Sequence, residues 1–128
     1  MNSIEASVKE IVRIDNLTHI SFSTDSSEID VLTLELQESI SIGSLAKLII
    51  KSTDIALSKS RLLQSSFTNQ LRAKVIDIDR GEILSSVALG IDGFILESLI
   101  LHSKFLDIEV GDELFALISA SDISIEYL

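Results

Sequence analysis

Three short stretches concentrate hydrogen-bond donors in a chain that offers little else for chemistry. They are Lys51-Ser52-Thr53, Ser65-Ser66-Phe67-Thr68-Asn69-Gln70 and Ser119-Ala120-Ser121. Hydroxyls, carboxamides, an ammonium and backbone N–H groups are what a tetrahedral oxyanion requires. Such a dianion offers only acceptors, so its pocket needs only donors, and carboxylates must be kept out. A pocket without an acceptor also disfavours protonated phosphate, which has its own proton to place. Serine and threonine beside strand ends also serve as turn caps, so the clusters alone leave both uses open.

Catalytic arrangements are poorly represented. The two histidines, His19 and His102, have no HxxxH or HxH partner. Serine is abundant, with 21 residues, but no GxSxG elbow is present to expose one as a nucleophile. No glycine loop of the phosphate-cradling type occurs. Cysteine is absent, which excludes disulfides and thiolate metal sites. The acidic pairs Asp112-Glu113 and Asp77/Asp79 read as solvated faces or turns. These features predict a binding protein and not an enzyme.

The elements that must position the donors are strands. Ile4 to Ile11 and Leu71 to Asp79 alternate apolar and polar residues for most of their length, and isoleucine and valine are frequent. Asp79-Arg80-Gly81-Glu82, Asp92-Gly93 and Val110-Gly111-Asp112-Glu113 read as turns. A short helical turn is predicted around Ser103-Lys104-Phe105-Leu106. About five strands per half result, spaced as in small barrels.

A repeat relates the halves. The segment from Asn2 to Ile11 lies over Asn69 to Ile78, an offset of 67, and Gly43 to Ile55 lies over Gly111 to Ile123, an offset of 68. One inserted residue reconciles the two. The shared asparagine, glycine and Ser/Thr-Asp-Ile argue for duplication over chance alternation. The predicted organisation is a first module at 1–58, a linker at 59–68 and a second module at 69–128. Leu62, Leu63 and Phe67 make the serine-rich linker look packed.

Composition narrows the partners. The net charge is −10, with four basic and nine acidic side chains in 1–58 and six and eleven in 59–128. Such a surface repels phosphate backbones and anionic lipid. Five Phe and one Tyr, without basic interleaving, give no platform for stacking bases. Neither nucleic acid nor membrane is therefore expected as a partner. No run approaches the ~18 uncharged apolar residues of a membrane span, and the N-terminus does not read as a secretory signal. A cytoplasmic location is expected. A module of ~60 residues is marginal alone. Segments such as Ile95 to Leu101 and Leu114 to Ile118 are apolar on both faces, so a closed homo-oligomer is expected.

At the donor clusters the sequence resembles the molbindin (Mop, or TOBE) family of molybdate-binding domains, as two tandem modules covering nearly the whole chain. The family's opening segment, like S-A-R-N-Q-L-x-G-x-V, is similar to Ser66-Phe67-Thr68-Asn69-Gln70-Leu71-Arg72-Ala73-Lys74-Val75. Its closing segment, like L-x-x-G-D-E-V-x-A-L-I-K-A-S-D-V, is similar to the run from Ile108 to Ile123. In the first half the best stretch is Ile50-Lys51-Ser52-Thr53-Asp54-Ile55. The resemblance implies an all-β fold of two tandem OB-like five-stranded barrels, each with a short helical turn. It implies molybdate or tungstate as ligand, held between modules, and a homo-oligomer with a trimer favoured. The residues it implies for oxyanion binding are Ser66 and Asn69 from the opening motif, Lys51 and Ser52 from the first closing motif, and Ser119, Ala120 and Ser121 from the second.

Two departures bear on affinity. The family's opening arginine is Thr68 here, and the closing lysine of the second half is Ser119. A charge-assisted hydrogen bond contributes ~1.5–3 kcal/mol against ~1 for a neutral one, so losing one cation per site costs about tenfold. Lys51 is the remaining motif cation, which favours the first closing motif. Two functions stay open: storage or homeostasis of the oxyanion, and a ligand-free oligomerisation or regulatory module of a molybdate transport or regulation system.

Overall fold

The computed structural model describes residues 1–34, 40–101 and 107–128. The predicted helical turn at 103–106 and His102 lie outside the described residues.

Among the described residues ten strands follow one another: β1 Asn2–Ile14, β2 Leu17–Ser23, β3 Glu28–Thr33, β4 Leu45–Ile50, β5 Ala56–Ser58, β6 Asn69–Arg80, β7 Leu84–Ile91, β8 Phe94–Leu101, β9 Glu113–Ile118 and β10 Ile123–Tyr127. All strand pairings are antiparallel. Single 3-10 turns at Ser52–Asp54 and Ala120–Asp122 precede β5 and β10. The architecture is the expected all-β pair of five-stranded, OB-like barrels.

Period-two alternation decides which face is inside. Ile4, Ala6 and Val8 of β1 are buried while Ser3 and Glu5 face out; Leu71, Ala73 and Val75 of β6 repeat this against Arg72 and Lys74. Each of these strands then bulges, between Val8 and Glu10 in β1 and between Val75 and Asp77 in β6. A bulge bends a strand and increases its twist. Long strands can thus serve two neighbours in succession: β4 and then β2 for β1, β9 and then β7 for β6.

The glycines shared by the repeat have a backbone reason. Gly43 and Gly111 have φ of +90° and +98°, where a side chain is strained. Their N–H groups donate to Val8 O and Val75 O, both at 2.8 Å, while Val8 and Val75 donate to Ser44 and Asp112 carbonyls. The loop before the closing strand is therefore tied to the bulge in the same way in both copies. The Asp92-Gly93 hairpin has φ of +50° and +83°, the backbone of a two-residue primed turn.

The sheets do not each consist of one half. Their orders are β10-β4-β1-β2-β3 and β5-β9-β6-β7-β8. The first half's last strand, β5, adds to β9, and the second half's last strand, β10, adds to β4. The barrels thus exchange their closing strands. One apolar core runs through both, from Phe22, Ile20 and Leu48 to Leu89, Leu96 and Ile118, all fully buried.

Candidate anion-binding seams

The register of the central strands brings each opening motif to its own closing motif. Asn2 lies opposite Ile50, so Lys51 and Ser52 follow beside it; Asn69 lies opposite Ile118, so Ser119 and Ala120 follow beside it. The backbones entering the two 3-10 turns are nearly the same, with φ/ψ of −70/141 at Lys51 and −69/138 at Ser119. Asp54 N donates to Lys51 O at 2.9 Å, and Asp122 N donates to Ser119 O at 3.0 Å.

Both asparagines clasp the opposite barrel. Asn69 Nδ2 donates to Asp30 O at 2.8 Å and Asp30 N donates to Asn69 Oδ1 at 2.7 Å. Asn2 makes the same pair with Glu97, at 2.8 and 2.7 Å. A carboxamide carries a donor and an acceptor like a peptide group, so it satisfies one residue of β3 or β8 as a neighbouring strand would. Asn69 is fully buried. Its Oδ1 and one Nδ2 hydrogen are committed, which makes the side chain a positioning group for the seam.

The first seam holds Lys51, Ser52, Asn2 and the strand at Glu97. Lys51 is exposed and forms no ion pair with a described residue. Ser52 Oγ accepts from Asn2 Nδ2 at 3.4 Å and donates to Glu97 Oε1 at 3.3 Å. A carboxylate therefore stands at the hydroxyl that the family resemblance implied for an anion. Glu97 is exposed at the seam's rim.

The second seam holds Asn69, Ser119, Ala120 and the strand at Asp30. Here the equivalent carboxylate is drawn aside. Asp30 Oδ1 lies 2.8 Å from His19 Nε2 and accepts from Ser21 Oγ at 3.0 Å. Ser119 and Ala120 are half-buried and Ser121 is exposed. Ser66 does not join either constellation through a hydrogen bond. It is exposed in the segment before β6, where its neighbour Ser65 caps Phe67 N at 3.1 Å.

That segment is fixed by Gln70. Its Oε1 accepts from Leu62 N at 2.7 Å, and its Nε2 donates to the carbonyls of Leu62 and Phe67, each at 2.9 Å. The clasped residues Asp30 and Glu97 were missed at the level of sequence, although the offset of 67 that aligns Asn2 with Asn69 also aligns Asp30 with Glu97. Among the described residues no group of three or more His, Asp or Glu side chains could hold a metal cation. Among them, no helix is long and apolar enough to cross a membrane.

No family model matches the chain, and no curated protein matches it. Among solved structures it is similar to the cytoplasmic molybdate-binding protein ModG, in a form with molybdate bound. That likeness has a TM-score of 0.89 over 99% of this chain and 96% of the other, at 19% sequence identity. The chain therefore has the fold of ModG, here two five-stranded, OB-like barrels.

Proposed function

We propose that this protein binds molybdate or tungstate reversibly in the cytoplasm, for storage or homeostasis of the oxyanion, without covalent chemistry. One observation carries the reading. On a fold shared with a molybdate-binding protein, both copies bring an opening asparagine, a closing Lys/Ser or Ser/Ala turn and the opposite barrel's strand to one seam.

In this reading Lys51 and Ser52 hold the anion at the first seam, with backbone N–H groups of the 3-10 turn. Ser119, Ala120 and Ser121 serve the second, with Ser66 from the opening motif. Asn69 acts mainly by holding Asp30 and the turn in place. Anion binding at the first seam breaks the bond from Ser52 to Glu97 and leaves that exposed carboxylate at the rim, where it opposes the anion. The ligand would sit between modules and, in an assembly, between chains. A homo-oligomer, with a trimer favoured by the family resemblance, is supported by exposed Val12, Ile14, Leu17 and Leu32. Strand register sets them on one patch of β1, β2 and β3.

A second reading is a ligand-free interaction module. The carboxylate 3.3 Å from Ser52 and the loss of cations at Thr68 and Ser119 favour it. Calorimetric titration with molybdate, tungstate, sulfate and phosphate separates the two. Saturable heat with molybdate or tungstate, and not with sulfate or phosphate, supports oxyanion binding. No heat at millimolar ligand supports the interaction module. Light scattering tests the assembly, and a stable monomer would contradict it.

A further inference from the structure

The second seam lacks both motif cations, Thr68 and Ser119 standing where the family has arginine and lysine. Two arginines outside the motif positions lie beside it. A cleft of about 480 Å3 opens next to Asn69, lined by Arg61, Thr68, Arg72 and Phe115 from one barrel and by Ser27 and Glu28 from the other. The guanidinium carbons of Arg61 and Arg72 lie 5.7 and 5.6 Å from the centre of the Phe115 ring. These are two of the four arginines in the chain.

Both are held in place. Arg72 sits opposite Phe115 in the β6–β9 ladder. Arg61 precedes Leu62, whose N–H and C=O are both taken by the Gln70 carboxamide. Both guanidinium groups are within cation–π distance of the ring, which restrains them.

The cleft also contains two carboxylates, and each has a partner of its own. Asp92 accepts from Thr24 Oγ1 at 2.7 Å and from Ser26 Oγ. Glu28 Oε2 pairs with Lys9 Nζ at 3.3 Å. Arg72 approaches Glu113 only to 3.9 Å, with both side chains largely exposed, a contact of little strength. Arg61 forms no ion pair with a described residue.

The repeat shows that this is not a generic feature of the barrel. At the equivalent ladder position of the first copy, the cross-strand pair is Glu5 and Lys47. The arginine pair occurs only at the seam whose motif cations are missing, while the other seam retains Lys51. We propose that Arg61 and Arg72 stand in for the missing motif cations and bind a tetrahedral oxyanion in this cleft beside the second seam, with the Thr68 hydroxyl as a further donor; Ser119, Ala120 and Ser121 do not line it. This rests on the oxyanion-binding reading above and extends it to a site with its own cations. The cleft has room for the anion with part of its water shell.

The test counts molybdate per chain by equilibrium dialysis with metal analysis, on the full chain and on R61Q/R72Q, K51A and the triple variant. The double arginine variant should weaken one class of site at least tenfold and keep the Lys51 class. K51A should do the reverse, and the triple variant should lose both. Adding Thr68→Arg to R61Q/R72Q should restore the weakened class, which a merely structural role for the arginines would not predict. Because both arginines are exposed, thermal unfolding should stay unchanged. Two results overturn the proposal while leaving oxyanion binding intact: R61Q/R72Q that binds like the parent, or K51A that abolishes all binding. A parent chain that binds no molybdate at millimolar concentration overturns both.

Discussion

Replacing Glu97 by glutamine probes whether Ser52 contacts an anion. Glu97 Oε1 lies 3.3 Å from Ser52 Oγ. A dianion hydrogen-bonded to that hydroxyl would bring its nearest oxygen to within roughly 6 Å of the carboxylate, given a normal O–H···O length of about 2.8 Å. At a separation of about 5 Å, a −1 and a −2 charge repel by about 1.7 kcal/mol in water, and physiological salt reduces this to about 1 kcal/mol. Glu97→Gln should then tighten molybdate about fivefold, and more at 50 mM salt than at 200 mM. The clasp with Asn2 uses only the backbone of residue 97, so it survives the change. Calorimetry at the two salt concentrations reads the effect, with thermal unfolding as a control on the fold. Affinity that is unchanged or weaker, with the fold intact, would show that no anion sits at Ser52.

Three further outcomes follow from the same geometry. Lys51→Ala should weaken oxyanion binding about tenfold at the first seam by removing a charge-assisted contact; unchanged binding isotherms would remove Lys51 from the site. Asn69→Ala strands the N–H and C=O of Asp30 against a fully buried position and should cost about 3 kcal/mol, seen as a lowered urea midpoint. A change below about 0.5 kcal/mol would mean that the clasp contributes nothing to the fold. Chains cut to 1–68 and 69–128 should give no folded monomer, because each lacks the strand that closes its sheet; circular dichroism and gel filtration check this, and two well-folded monomers would contradict it.

Strand identity was readable from alternation because burial on one face of a strand leaves a period of two, as in Ile4-Ala6-Val8 and Leu71-Ala73-Val75. The turns at Asp92-Gly93 and Gly111 were readable because positive φ selects glycine and its neighbours. The short turns at 52–54 and 120–122 were seen only as donor clusters. Nothing local distinguishes a serine that caps from one that binds.

What the sequence determined by itself was a β-barrel chain with an internal repeat, its turns, and the opening asparagine and closing turn that register sets side by side in each copy. Tertiary structure alone decided that the closing strands are exchanged. The two copies present nearly the same edge, β4 or β9, so β5 and β10 carry no local signal for which edge to join. Tertiary structure also placed Glu97 against Ser52, drew Asp30 toward His19 and Ser21, and brought Arg61 to Phe115. Each of these pairs joins residues distant in the chain. Their meeting depends on register and packing across strands, which the sequence of either partner does not contain.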